Sequence, residues 1–127
     1  MKRIVQDLYV IEGLRGANVY VLVSDTTLTL VDAGMAGDVD RIVAQIGEDG
    51  DYPSALESIL VTHAHTDHIG SVPELVRRFG ARVMAHRAEV PYLEGKENLP
   101  IGSWLQRVMQ WLDDLLPGED RGIEVAR

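Results

Sequence analysis

The chain has 127 residues, of which 46% are apolar and 25% charged, with a formal net charge of −8. That is one soluble domain's worth of chain; the acidic balance and lack of a basic stripe argue against a partner held mainly by phosphate neutralisation, so no nucleic-acid partner is expected. With no cysteine there is no disulfide framework and no thiolate metal site, and no apolar run approaches the length of a membrane span. The opening "MKRIVQDLYVIEG" carries charge without an apolar h-region, so a cytoplasmic location is expected.

The elements follow in chain order. Residues 4–11, 17–23 and 28–32 read as strands, joined by "GLRG" and "SDTT" turns, which predicts consecutive antiparallel pairing. Residues 38–47 carry Val39, Ile42, Val43 and Ile46 at helical spacing, with Asp38 as N-cap and Gly47 as stop. "EDGDYPS" is a loop, and 57–62, "ESILVT", a short apolar strand. "SVPELVRRFG" predicts a helix with Ser71 and Glu74 as a capping box and Gly80 at its end. Residues 81–86 form another strand, Glu89, Glu94 and Glu97 a solvated loop, and 101–116 an amphipathic helix with Trp104 and Trp111 on its apolar face. The closing "GIEVAR" reads as the start of a strand with no evident partner. Strands followed by strand–helix–strand–helix predict an α/β chain: a mixed sheet covered by helices on at least one face.

"THAHTDHIG", residues 62–70, concentrates the chemistry. It holds three of the four histidines and an aspartate, at the end of a strand and before a helix. In extended chain, residues i and i+2 point the same way, so His63 and His65 can serve one ion. Asp67 and His68 come where the chain turns and can serve a second. Imidazole and carboxylate donors suit zinc, iron or manganese. Gly34 and Gly37 belong to loop geometry, and Arg77 and Arg78 to a solvated helix face.

His63-x-His65-x-Asp67-His68 after an "ILVT" strand, with "LTLVDAG" and "GANVYVLVSD" upstream, resembles the signature of the metallo-β-lactamase superfamily, over residues 1 to about 93. The resemblance implies the N-terminal half of an αββα sandwich, so that residues 1–127 form a single truncated domain: strands and ligand loop in 1–93, then the helix at 101–116. It implies a metal-dependent hydrolase with two zinc ions in the complete site, cleaving an ester, thioester, lactone or amide of a small molecule. His63 and His65 would bind the first metal, and Asp67 and His68 the second. Asp67 would also manage a proton as catalytic residue. Asp32 would brace the ligand loop from behind, and His86 would stand at the surface or behind the ligands. The mononuclear-iron persulfide dioxygenases share the motif, so iron-dependent sulfur chemistry is an alternative, as is a metal-binding fragment that turns nothing over. The family's downstream ligands have no counterpart, because no histidine follows His86. An uncovered sheet face predicts a homodimer or higher homo-oligomer, in which two ligand loops can face each other.

Overall fold

The computed structural model describes residues 1–47, 55–96 and 123–126. The six strands form one sheet in sequence order: β1 (Lys2–Val5), β2 (Leu8–Val10), β3 (Tyr20–Val23), β4 (Leu28–Val31), β5 (Leu56–Val61) and β6 (Arg82–Ala85). The first three pairings are antiparallel and the last two parallel. The mixed sheet expected from the sequence is the one observed. The two parallel crossovers run through α1 (Val39–Gly47) and α3 (Val72–Phe79), because parallel neighbours need a connection long enough to return over the sheet. Two short helices, α2 (Thr66–Ile69) and α4 (Val90–Leu93), complete the described elements.

Alternation along the strands divides the sheet into two faces. Val21, Leu30, Ile59 and Val83 lie in one row across four strands, each at most 2% exposed. They join Ile42 and Ile46 of α1 and Val72 and Leu75 of α3 in the core. Burying one such side chain contributes about 1.5–3 kcal/mol. On the other face the row Tyr20, Val31, Leu60, Met84 leaves Leu60 40% and Met84 36% exposed, and Leu22 beside it 42%. Among the described residues, helices therefore cover one face only.

Several local expectations change. The strand expected over 4–11 is two strands, broken at Asp7, which takes a left-handed φ of 63°. Asp38 does precede α1, its carbonyl accepting the Ile42 N–H at 2.9 Å, while its carboxylate accepts the Met35 N–H at 2.9 Å. Ser71 makes no side-chain cap; its hydroxyl donates instead to the Met35 carbonyl at 2.6 Å, and Glu74 pairs with Arg77 and Arg78. Gly80 ends α3 as expected, at φ 67° with its N–H on the Val76 carbonyl. The acidic loop after β6 contains α4, and Glu89 and Glu94 are partly buried. Residues 123–126 do find a partner: the Ala126 N–H donates to the Val83 carbonyl at 2.7 Å, and Ile123 and Val125 are buried. The helix expected at 101–116, with Trp104 and Trp111, and Glu97 lie outside the described residues. No helix among the described residues is long and apolar enough to cross a membrane.

Because β4, β5 and β6 are parallel neighbours, the segments leaving their C-terminal ends lie side by side. Those segments begin at Asp32, Thr62 and His86. A function-bearing crevice at the carboxyl ends of parallel strands follows from this topology.

Candidate metal centre

The loop carrying His63, His65, Asp67 and His68 is sewn to the segment after β4. The Ala33 N–H donates to the His68 carbonyl at 2.7 Å and the Gly70 N–H to the Gly34 carbonyl at 2.8 Å. The approach is so close that a Cβ on Gly70 would stand 2.1 Å from the Ala36 nitrogen and 2.5 Å from the Met35 carbonyl carbon. Only glycine fits there.

Asp32 holds the centre of this junction. It is 4% exposed and sits at φ 62°, a left-handed conformation that aspartate tolerates better than most residues. One carboxylate oxygen, Oδ1, accepts the Thr62 N–H at 2.8 Å. The other, Oδ2, accepts the Thr62 hydroxyl at 2.7 Å and His68 Nδ1 at 2.8 Å. A buried carboxylate with three donors is satisfied, and the bonds hold the backbone in its uncommon conformation.

This network fixes two histidine tautomers. A carboxylate only accepts, so His68 Nδ1 carries the proton and leaves the lone pair on Nε2. The single proton of the Thr62 hydroxyl is committed to Asp32, so toward His63 Nδ1, 2.9 Å away, the hydroxyl oxygen is the acceptor. His63 is therefore also protonated at Nδ1, with its lone pair on Nε2. Burial, then the neighbouring His68 and His65, hold the His63 imidazole below its usual 6.5, against the pull of Asp32 and Asp67. The neutral form is the one that ligates a metal.

The three rings are packed together. The His63 and His65 centroids are 4.5 Å apart and edge-on; those of His63 and His68 are 3.9 Å apart. His63 thus lies nearer to His68 than to the i+2 neighbour with which extended geometry pairs it. His65 is exposed and precedes α2, its carbonyl accepting the His68 and Ile69 amides. Asp67 is 43% exposed, its carboxylate 3.6 Å from His68 Nε2. The β2–β3 connection passes over it: a Cβ on Gly16 would stand 3.0 Å from Asp67 Cβ. That connection is tied to α1 by the Gln45 amide, which accepts the Glu12 N–H at 2.8 Å and donates to the Glu12 carbonyl at 2.9 Å. The donor chemistry suits a divalent cation, yet among the described residues no three His, Cys, Asp or Glu side chains converge on one ion position as they stand.

The structure therefore brings His63, His65, Asp67, His68 and Asp32 together. His86 is exposed on the turn after β6, where its Nδ1 accepts the Ala88 N–H at 3.2 Å. Two contacts of this loop are not evident in the sequence. Thr62 reads as the end of a strand, yet its hydroxyl links Asp32 to His63. Glu89 reads as a solvated acid, yet its carboxylate accepts the Ala64 N–H at 3.0 Å. The one available signal was the place of each at the end of a parallel strand or of the turn after it.

Comparison with known proteins gives the family. The sequence profile of the metallo-beta-lactamase superfamily matches residues 13–126. Probable metallo-hydrolase YflN of Bacillus subtilis is 34% identical over 87 residues, which cover 66% of this chain and 33% of that protein. BJP-1, a subclass B3 metallo-beta-lactamase of Bradyrhizobium japonicum, superposes with a TM-score of 0.65 at 33% identity, over 73% of this chain and 35% of its own. LRA-12, a class B3 di-zinc metallo-beta-lactamase from an Alaskan soil metagenome, gives 0.66 at 26% identity, over 73% and 35%. The chain spans about a third of the length of these relatives.

Proposed function

The chain belongs to the metallo-beta-lactamase superfamily of metallo-hydrolases, and from that premise we propose that residues 62–68 are the first half of a zinc-dependent hydrolase centre. His63 and His65 hold a first ion, and Asp67 and His68 a second. The observation that carries this reading is the pair of tautomers: the Thr62 hydroxyl and the Asp32 carboxylate accept hydrogen bonds from the Nδ1–H groups of His63 and His68, which leaves both Nε2 lone pairs for a metal. The di-zinc relative supports zinc.

Divalent cations held there supply Lewis-acid polarisation of the substrate and activation of water as a nucleophile. The chain's own groups do the rest. Asp32 orients His68 directly and His63 through Thr62, which keeps both rings in one tautomer and one orientation. Asp67, partly open to solvent, accepts or returns a proton at its carboxylate. The substrate is a small ester, thioester, lactone or amide, and we also propose that copies of the chain associate. The exposed Leu22, Leu60 and Met84, on the face that none of the described helices covers, support association.

The observation that no three donors converge among the described residues favours a second reading, in which the chain captures metal and turns nothing over. Native mass spectrometry of the chain, with and without chelator, tests the first claim. Zinc retained and then lost to chelator supports the centre, and its subunit count tests association; a chain that stays metal-free in excess zinc contradicts the centre. Iron in place of zinc would move the reading to sulfur dioxygenation. Hydrolysis of an ester, thioester, lactone and β-lactam panel by the zinc-loaded chain separates turnover from capture alone.

A further inference from the structure

The ligand loop follows β5, which lies between β4 and β6 in the sheet. From the β4 side Asp32 grips it at the Thr62 amide. From the β6 side a second carboxylate grips it at Ala64, the residue between His63 and His65. The Ala64 N–H donates to Glu89 Oε2 at 3.0 Å, and Ala64 is 2% exposed.

Glu89 is mounted for this contact. Its backbone N–H donates to the His86 carbonyl at 2.8 Å, and its carbonyl accepts the Tyr92 and Leu93 amides, both at 3.1 Å. Glu89 is the N-cap residue of α4, where a carboxylate ordinarily serves the first free amides of its own helix. Here it makes no such bond and reaches across to the ligand loop instead. The short helix is anchored by Leu93, which is fully buried and whose carbonyl accepts the Ile123 N–H at 2.8 Å. A carboxylate on a pinned turn is a fixed strut.

We propose that Glu89 is a positioning residue for the metal centre: through the Ala64 amide it sets the spacing and direction of His63 and His65. It touches no metal and no substrate. The proposal rests on the reading of His63 and His65 as ligands. Its structural half, the hold on Ala64, stands apart from metal and is measured apart from it. An amide at a position 2% exposed has little access to water, so loss of its acceptor releases the loop. Glutamine keeps an acceptor oxygen at the same reach. Alanine has none, and aspartate is one methylene short.

The experiment compares Glu89→Gln, Glu89→Asp and Glu89→Ala in the full chain by two readouts. The first is hydrogen exchange of the Ala64 amide in the metal-free chain. The second is zinc affinity by competition with a chromophoric chelator. The alanine and aspartate variants are expected to speed Ala64 exchange and to weaken zinc binding roughly 10- to 100-fold, the range for residues that orient metal ligands. Glutamine is expected to restore both. Alanine and aspartate variants that exchange Ala64 and bind zinc like the parent would overturn the proposal. So would a general loss of stability with zinc affinity unchanged, or a glutamine variant as weak as alanine. If the parent binds no zinc, the proposed metal centre falls, and Ala64 exchange alone decides whether Glu89 holds the loop. Should the alanine variant not fold, the aspartate and glutamine pair decides.

Discussion

His63 and His68 are tied through Nδ1 to the Thr62 hydroxyl and the Asp32 carboxylate, inside the junction between β4 and β5. His65 and Asp67, in the same six residues, are more open, the first exposed and in edge contact with the His63 ring, the second partly exposed with its side chain at 43%. The first pair belongs to the fold as well as to the site. The second is the more open, although Gly16 passes over Asp67, and belongs chiefly to the proposed site. Loss of the first should therefore register as instability, whereas loss of the second should register only when metal is offered.

Substitution at the junction should break the rooted side most severely. Gly70→Ala drives a methyl into the backbone of Met35 and Ala36 and is expected to cost about 3 kcal/mol, read as a lower urea midpoint at unchanged slope. Asp32→Asn comes next. Its amide nitrogen cannot face the Thr62 N–H, so it must take the Oδ2 position beside His68. There it donates, which moves the His68 proton to Nε2. The expected loss is roughly 1–3 kcal/mol of stability, together with a tautomer change visible in histidine ¹⁵N shifts and weaker zinc binding. Thr62→Val removes the link between Asp32 and His63 and should cost about 1 kcal/mol, with His63 released to populate both tautomers.

On the open side, His65→Ala should change the urea midpoint by no more than about 0.5 kcal/mol and still weaken zinc capture. Equal destabilisation by His65→Ala and Thr62→Val would erase the distinction between the two pairs.

The smallest effect is in pH. The folded value of His63 lies below its ordinary 6.5, so the folded chain resists protonation there more than the unfolded chain does. Its contribution favours folding above that range and is lost as pH falls below 6.5. A titration of the His63 ring by NMR with a midpoint at or above 6.5 would contradict this sign.

Much of this was legible in the sequence because it is local. The alternation in "ANVYVLV" and "LTLVD" and the helical spacing of Val39, Ile42 and Ile46 gave the sheet and α1 to within a few residues. The histidine spacing located the loop on which the rings of His63, His65 and His68 meet. What was hidden depends on partners far along the chain. Ser71 has the residue type of a cap, but the Met35 carbonyl offers its hydroxyl a tertiary acceptor. Glu89 has the residue type of a solvated acid, yet sheet order brings it to an amide 25 positions away. Gly70 reads as a mere turn until the β4–α1 segment packs against it. At each of these positions tertiary contact overrode local propensity.

The most direct measurement is a long-range ¹H–¹⁵N histidine spectrum of the chain during zinc titration. The predicted result is Nδ1-protonated His63 and His68 before zinc, and a shift of both Nε2 resonances as zinc is added. Nε2-protonated rings before zinc, or resonances that stay in place when zinc is in excess, would contradict it.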